Sequence, residues 1–327
     1  MTNPFKNRFR FPLRFSLKDF FIALGCLLVV VFGVMGTIIV YPFPRTATDI
    51  SNQYINLLPD ETPGLGLTAG TYTQVLPYHG SNRTFLVHLP PVTSAQNPLP
   101  LVLAFHGAGE TAEIMAGRGF NAKADQAGFI VVYPDGTNAT GNPADGFTFN
   151  AHFCCGYAYH SGVDDVGFIS ALLDRLEAVY PVDAGRVYAT GFSNGGMLSY
   201  LLAMRLGDRI AAIAPVSAEY RASDTPQTPV AVFSMHGLED NVVAYDNDVR
   251  ENAAWAEFNG CGSAPISQDN SDVSRKTFCA GSPGREVVFY TVKVGVHEWF
   301  GSLKSPDGLD TTGIDLIWSF FATRSKS

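Results

Sequence analysis

Apolar residues along this chain fall into three patterns. Short continuous runs occupy residues 99–105, 129–133, 210–216 and 230–235. Runs of this length predict strands buried on both faces, as in a parallel sheet covered by helices. Helical spacing is the second pattern. Val166, Ile169, Leu172, Leu173, Leu176 and Val179 recur every three or four positions within residues 163–180, which predicts an amphipathic helix. Further helices are expected over 111–127, 249–258 and 312–322, and a further strand over 286–294. Alternation is the third pattern. Residues 71–75 and 83–89 alternate and predict two antiparallel strands joined by His79-Gly80-Ser81-Asn82. Strands interleaved with helices predict an α/β fold with a mostly parallel central sheet and helices on both faces.

Two stretches break these patterns. Residues 20–41 carry no charge, about the length that crosses a bilayer as a helix. They follow a segment with Lys6, Arg8, Arg10, Arg14 and Lys18 and no acidic residue before position 19. The expected organisation is a basic cytoplasmic tail (1–18), a transmembrane signal-anchor helix (19–42), a linker (43–70) and one large outward-facing domain (71–327). A cleaved signal peptide, giving a secreted protein, is the alternative. The run ends Val40-Tyr-Pro-Phe-Pro44, without the small-x-small site that cleavage needs. The second stretch is residues 135–162, too long for an ordinary connection. Phe147, Phe149, Phe153, Tyr157 and Tyr159 argue that it is ordered and functional.

Composition narrows the class. The formal net charge of −8 argues against a nucleic-acid surface. The five cysteines show no Cys-x-x-Cys spacing, so no metal and no cofactor are expected. Cys261 and Cys279 flank a polar stretch and are disulfide candidates, which an outward-facing compartment permits. Cys154 and Cys155 are adjacent, and their pairing stays open.

Chemistry enters at Gly191-Phe-Ser-Asn-Gly-Gly196, between a strand-like run, Arg186-Val-Tyr-Ala-Thr190, and a helix-like one. Gly-x-Ser-x-Gly at a strand-to-helix turn is the nucleophile-elbow pattern, which makes Ser193 the candidate nucleophile. A serine nucleophile needs a base and an orienting acid, in the chain order Ser, Asp or Glu, His. Two histidines follow Ser193. His236 opens His-Gly-Leu-Glu-Asp240 at a strand end, where the acid belongs; Asp240 is the expected acid and Glu239 the local alternative. His297, between the last strand and the last helix, is the expected base. The expected oxyanion donors are the backbone N–H groups of Asn194 and of Ala108, the latter in His106-Gly-Ala-Gly109. Phe147, Phe149, Tyr157 and Trp299 are the substrate-binding candidates.

A set of motifs in fixed order carries a family resemblance. It runs from Arg83-x-Phe-x-x-His-x-Pro90 through Phe105-His-Gly-Ala-Gly109, Cys154-Cys-Gly156 and Val163-Asp-Asp-Val-Gly-Phe168 to the elbow. Ile213-Ala-Pro-Val-Ser217, His236-Gly with Asp240, Trp255 with Asn259-Gly-Cys261, and His297-x-Trp299 follow. Together these resemble the polyhydroxybutyrate depolymerase and feruloyl or acetylxylan esterase family of secreted α/β-hydrolases. The resemblance implies an α/β-hydrolase fold and metal-free hydrolysis of carboxylic esters on polyesters or plant-polysaccharide side groups. It assigns Ser193, Asp240 and His297 as the triad and makes an ester, possibly polymeric, the partner. The chain departs from the family at Gly295-Val-His-Glu-Trp-Phe300, where Gly-Gly-His-Thr-Trp-Pro is common, and at Phe153, where a Trp is common. A serine peptidase of the same fold and a non-catalytic ligand-binding homologue are the rival readings.

Overall fold

The structure, a computed structural model, describes residues 68–91, 97–221, 224–262 and 264–326. β1 (Gly70–Tyr78) and β2 (Ser81–Leu89) form an antiparallel hairpin. Its turn is His79-Gly80 alone, both at positive φ (47° and 79°), the backbone of a tight two-residue hairpin. Six strands then run parallel: β3 (Leu99–Phe105), β4 (Ile130–Pro134), β5 (Val182–Phe192), β6 (Ala212–Val216), β7 (Ala231–Gly237) and, further along, β10 (Val287–Val292). β8 (Ile266–Asp269) and β9 (Val273–Phe278) are antiparallel. The ten strands make one sheet in the order β1-β2-β4-β3-β5-β6-β7-β10-β9-β8. The sheet is therefore mixed, with a parallel centre and antiparallel strands at both edges.

β3, β4, β6 and β7 are buried throughout and β5 over residues 187–191, and their side chains alternate between two cores. Leu101, Leu103 and Phe105 of β3 face one; Val102 and Ala104 face the other. α4 (Asp165–Val179), α5 (Asn194–Arg205) and α6 (Tyr245–Phe258) cover the first with residues such as Ile169, Leu172, Leu201 and Trp255. α1 (Ala112–Ala116), α2 (Phe120–Ala127) and α7 (Gly313–Phe321) cover the second with Met115, Phe120, Ile317 and Phe321. α3 (Gly156–His160) is a single turn within the long loop.

Two further expectations change, and the cysteine pairings are resolved. The helix expected over 111–127 is two helices, because Gly119 sits at φ 108°, outside helical backbone. The polar stretch between Cys261 and Cys279 holds β8 and β9, and the two cysteines are disulfide-bonded across it. Cys154 and Cys155 are bonded to each other. Among the described residues no helix is long and apolar enough to cross a membrane. The basic tail, the anchor over 19–42 and the linker up to residue 67 lie outside the described residues.

Candidate active site

Ser193 stands at the turn from β5 into α5, with φ 52° and ψ −117°. That left-handed backbone is strained for a residue with a Cβ, so the surroundings must enforce it. They leave no room for side chains beside it. A Cβ on Gly191 would run into the Gly195 backbone, and one on Gly195 into the Phe105 carbonyl. Ser193 N–H donates to the Val216 carbonyl at 2.9 Å, tying the turn to β6.

The loops after β7 and β10 bring two side chains to this serine. His297 Nε2 lies 3.0 Å from Ser193 Oγ, and His297 Nδ1 lies 2.8 Å from Asp240 Oδ2. The other carboxylate oxygen, Oδ1, accepts the N–H groups of Val242 and Val243, both at 2.8 Å. The Asp240 carboxylate is buried, so an ionised acceptor here depends on those donors. An acceptor at Nδ1 fixes the hydrogen there and leaves the Nε2 lone pair for the serine hydroxyl. Glu239, the alternative acid, points away: it is exposed, and only its backbone N–H engages, with the Gly295 carbonyl. Behind Asp240, His236 is fully buried between Asp240 and Asp248.

The loop after β3 faces the serine from the other side, and its polar groups are nearly all engaged. Gly107 N–H donates to Glu110 Oε2 at 2.8 Å, and Gly109 N–H to the Phe147 carbonyl at 2.8 Å. Arg118 grips the Glu110 carboxylate with both terminal nitrogens, at 2.6 and 2.8 Å. Burial opposes ionisation of Glu110, but the Arg118 hydrogen bonds and the Gly107 N–H outweigh it and hold the carboxyl below its ordinary range. His106 is buried, accepts the Gly136 N–H at Nε2 (3.0 Å) and meets the Gly107 carbonyl with Nδ1 (2.8 Å). Burial pushes its pKa down to about 4, so it is a neutral strut. Within this loop the Ala108 N–H has no hydrogen-bond partner among the described residues, and neither does the Asn194 N–H at the start of α5.

The four substrate-binding candidates separate. Phe149 is not available to a substrate. It has no exposed surface, and its ring packs on Phe105 and His106 at 5.5 and 4.5 Å. Its backbone is clamped by the Asn194 side chain. Phe149 stands among the substrate-binding candidates because a long loop hides which of its residues turn inward. Phe147 and Tyr157 (42% exposed) line a cleft of about 420 Å³ with Tyr78, Asn82 and Asn138. Ser193, Asp240 and His297 are not on its walls. The cleft opens where β2 begins and β4 ends, two strand spacings or more from β5, roughly 10 Å along the sheet. Trp299, two residues after His297, is half-buried, 5.9 Å from the Phe120 ring. Arg118 lies over both Trp299 and Phe192, and the Phe192 ring is 5.0 Å from His297.

Comparison with known proteins adds what geometry cannot. The family model described as "Putative esterase" matches residues 77–294. The bifunctional acetylxylan esterase/xylanase XynS20E of Neocallimastix patriciarum is 31% identical over 168 residues, 51% of this chain and 22% of that protein. Probable feruloyl esterase C of Aspergillus niger is 28% identical over 218 residues, 64% of this chain and 73% of that protein. The chain thus spans under a quarter of the first relative's length and about three quarters of the second's. Among solved structures, acetyl xylan esterase from Aspergillus awamori shares the fold. Its TM-score is 0.55 at 17% identity, over 76% of this chain and 98% of that one.

Proposed function

From the premise that the chain belongs to this esterase family and is a carboxylic ester hydrolase, we propose that it works through a Ser193–His297–Asp240 triad and an acyl-enzyme. The unbroken hydrogen-bond chain from Ser193 Oγ through His297 to Asp240 is the observation that carries this reading. His297 Nε2 takes the hydroxyl proton as Ser193 Oγ adds to the ester carbonyl. The new oxyanion is received by the two N–H groups without partners, Asn194 and Ala108. Collapse expels the alcohol, which leaves with the proton from His297. Water, deprotonated by the same nitrogen, then adds to the acyl-serine; the carboxylic acid departs and Ser193 regains its hydrogen.

The proposed substrates are esters with short or aryl acyl groups on a polymeric alcohol. Relatives named for acetylxylan and feruloyl esters support polysaccharide substituents, with polyhydroxyalkanoate as the other candidate. The two disulfides support placement of residues 71–327 on the extracytoplasmic side, tethered by the apolar run over 19–42.

The experiment is hydrolysis of p-nitrophenyl acetate by the full chain, with active sites counted by a fluorophosphonate. Ser193→Ala should abolish both turnover and labelling while leaving thermal unfolding in place. Labelling that persists in this variant would overturn the assignment.

A further inference from the structure

We infer that His236 is a positioning residue for the hydrolysis, a buried imidazolium that holds the Asp240 carboxylate at the same oxygen that His297 meets. The inference rests on the reading of Asp240 as the triad acid. His236 ends β7, four residues before Asp240, and has no exposed surface. Both ring nitrogens meet acceptors only. Nε2 is 3.0 Å from the Val243 carbonyl oxygen and 3.2 Å from Asp240 Oδ2, and Nδ1 is 3.0 Å from Asp248 Oδ2. A carbonyl cannot donate, so Nε2 carries a hydrogen.

Asp248 settles the other nitrogen. Its Oδ1 accepts the Tyr200 hydroxyl at 2.8 Å and Asn252 Nδ2 at 3.0 Å, and its Oδ2 accepts the Ser234 hydroxyl at 2.5 Å. A buried carboxyl receiving that many donors is ionised, which leaves Nδ1 to donate as well. A ring with hydrogen on both nitrogens is a cation. Burial alone would drive the pKa of His236 down. The hydrogen bond and charge of Asp248, the Val243 carbonyl and the charge of Asp240 together raise it. The other titratable neighbours do not compete for this proton. The Tyr245 ring meets His236 edge-on at 5.9 Å, and Tyr200 is held neutral by its burial. Glu251, which reaches the group through Asp248, has its pKa pushed up to about 8 by burial and by that charge.

Asp240 is thereby held by three hydrogen-bond donors, Val242 and Val243 on Oδ1 and His297 on Oδ2, and by the charge of His236, whose Nε2 lies 3.2 Å from Oδ2. A carboxylate that swings away from His297 also leaves this buried cation, which Asp248 alone would then have to balance.

The test uses His236→Gln and His236→Asn in the full chain, with rates divided by fluorophosphonate-titrated sites. Gln keeps an N–H near the Nε2 position; Asn does not. With p-nitrophenyl acetate, kcat should fall about tenfold or more in His236→Asn and less in His236→Gln, with KM within about twofold. An equal loss of kcat in both variants, or a loss that appears in KM instead, would reduce His236 to packing. Nitrogen-15 spectra of the unaltered protein decide the point even if neither variant folds. Both ring nitrogens of His236 should be protonated at pH 7.5, and a neutral tautomer would overturn the inference. Failure of the triad reading would appear separately, as turnover retained by Ser193→Ala.

Discussion

Asn194 holds Phe149 by both atoms of its carboxamide: Oδ1 accepts the Phe149 N–H at 2.7 Å, and Nδ2 donates to the Phe149 carbonyl at 3.0 Å. One residue thus ties the first turn of α5, which carries the proposed oxyanion N–H, to the aromatic loop. Asn194→Ala leaves the buried Phe149 N–H without a partner and the Phe149 carbonyl with the Cys155 N–H alone, at a cost of about 1–3 kcal/mol. The expected outcome is a lower urea midpoint together with faster proteolysis within residues 139–146. An unchanged midpoint would mean that the loop is held by its rings alone.

Asp240 and Glu239 are neighbours with opposite fates, and the variant pair separates them. Asp240→Ala removes the acceptor at His297 Nδ1, and kcat should fall by about 10³–10⁴. Glu239→Ala alters an exposed side chain and should stay within about threefold of the parent. His297→Ala should be as damaging as Ser193→Ala, since members of a triad act as a unit. A severe Glu239→Ala with a mild Asp240→Ala would reassign the acid.

His106 makes a statement about pH and stability. Its pKa is about 4 in the folded chain, chiefly through burial, against 6.5 for an ordinary histidine. The charges of Glu110 and Glu113 pull upward and lose to burial. Between these values the unfolded chain takes up a proton that the folded chain refuses. Stability is therefore full above about pH 6.5, and falls as pH drops toward about 4. The expected loss is on the order of 3 kcal/mol. Urea midpoints at pH 7.5 and 4.5 should show this slope, and His106→Gln should flatten it. A slope of equal size in His106→Gln would place the proton elsewhere.

What the sequence made legible follows from how local each signal is. The elbow could be read because Gly191, Ser193 and Gly195 lie within five positions between a strand and a helix. The order Ser193, Asp240, His297 could be read because each sits just past an apolar run. The Asn194 clamp, the His106 strut and the Arg118–Glu110 pair were hidden. Their partners are backbone groups, or side chains whose meeting depends on how loops fold back. β9 was hidden for a different reason. Val273-Ser-Arg-Lys-Thr-Phe278 is polar because it lies near the sheet edge, and it reads as a loop until β10 is beside it. The fate of Phe149 could not be told from that of Phe147, two residues away in the same aromatic stretch.

The cleft beside the β1–β2 turn carries the last prediction. Tyr157 is exposed on its wall, and Phe147 closes it. Tyr78 donates its hydroxyl to Asp164 at 2.7 Å, and Arg83 pairs with Asp165 at 2.6 Å, so both carboxylates beside the cleft are engaged. A cleft with aromatic rings and the carboxamides of Asn82 and Asn138 suits a neutral chain extending from the ester. It lies roughly 10 Å along the sheet from Ser193, too far for a small ester to reach while reacting. Tyr157→Ala should therefore raise KM for an acetylated or feruloylated oligosaccharide by about fivefold, near 1 kcal/mol of lost ring contact. It should leave p-nitrophenyl acetate unchanged. Between β6 and β7 no helix occurs among the described residues, so nothing there forms a helical lid over the serine. Activity across p-nitrophenyl esters should peak at acetate to butyrate and fall for acyl chains of about ten carbons or more. Equal effects of Tyr157→Ala on the small and the extended ester would remove the cleft from substrate binding. A peak at long chains with activation at an oil–water interface would show that the serine lies in a covered lipase-like site instead.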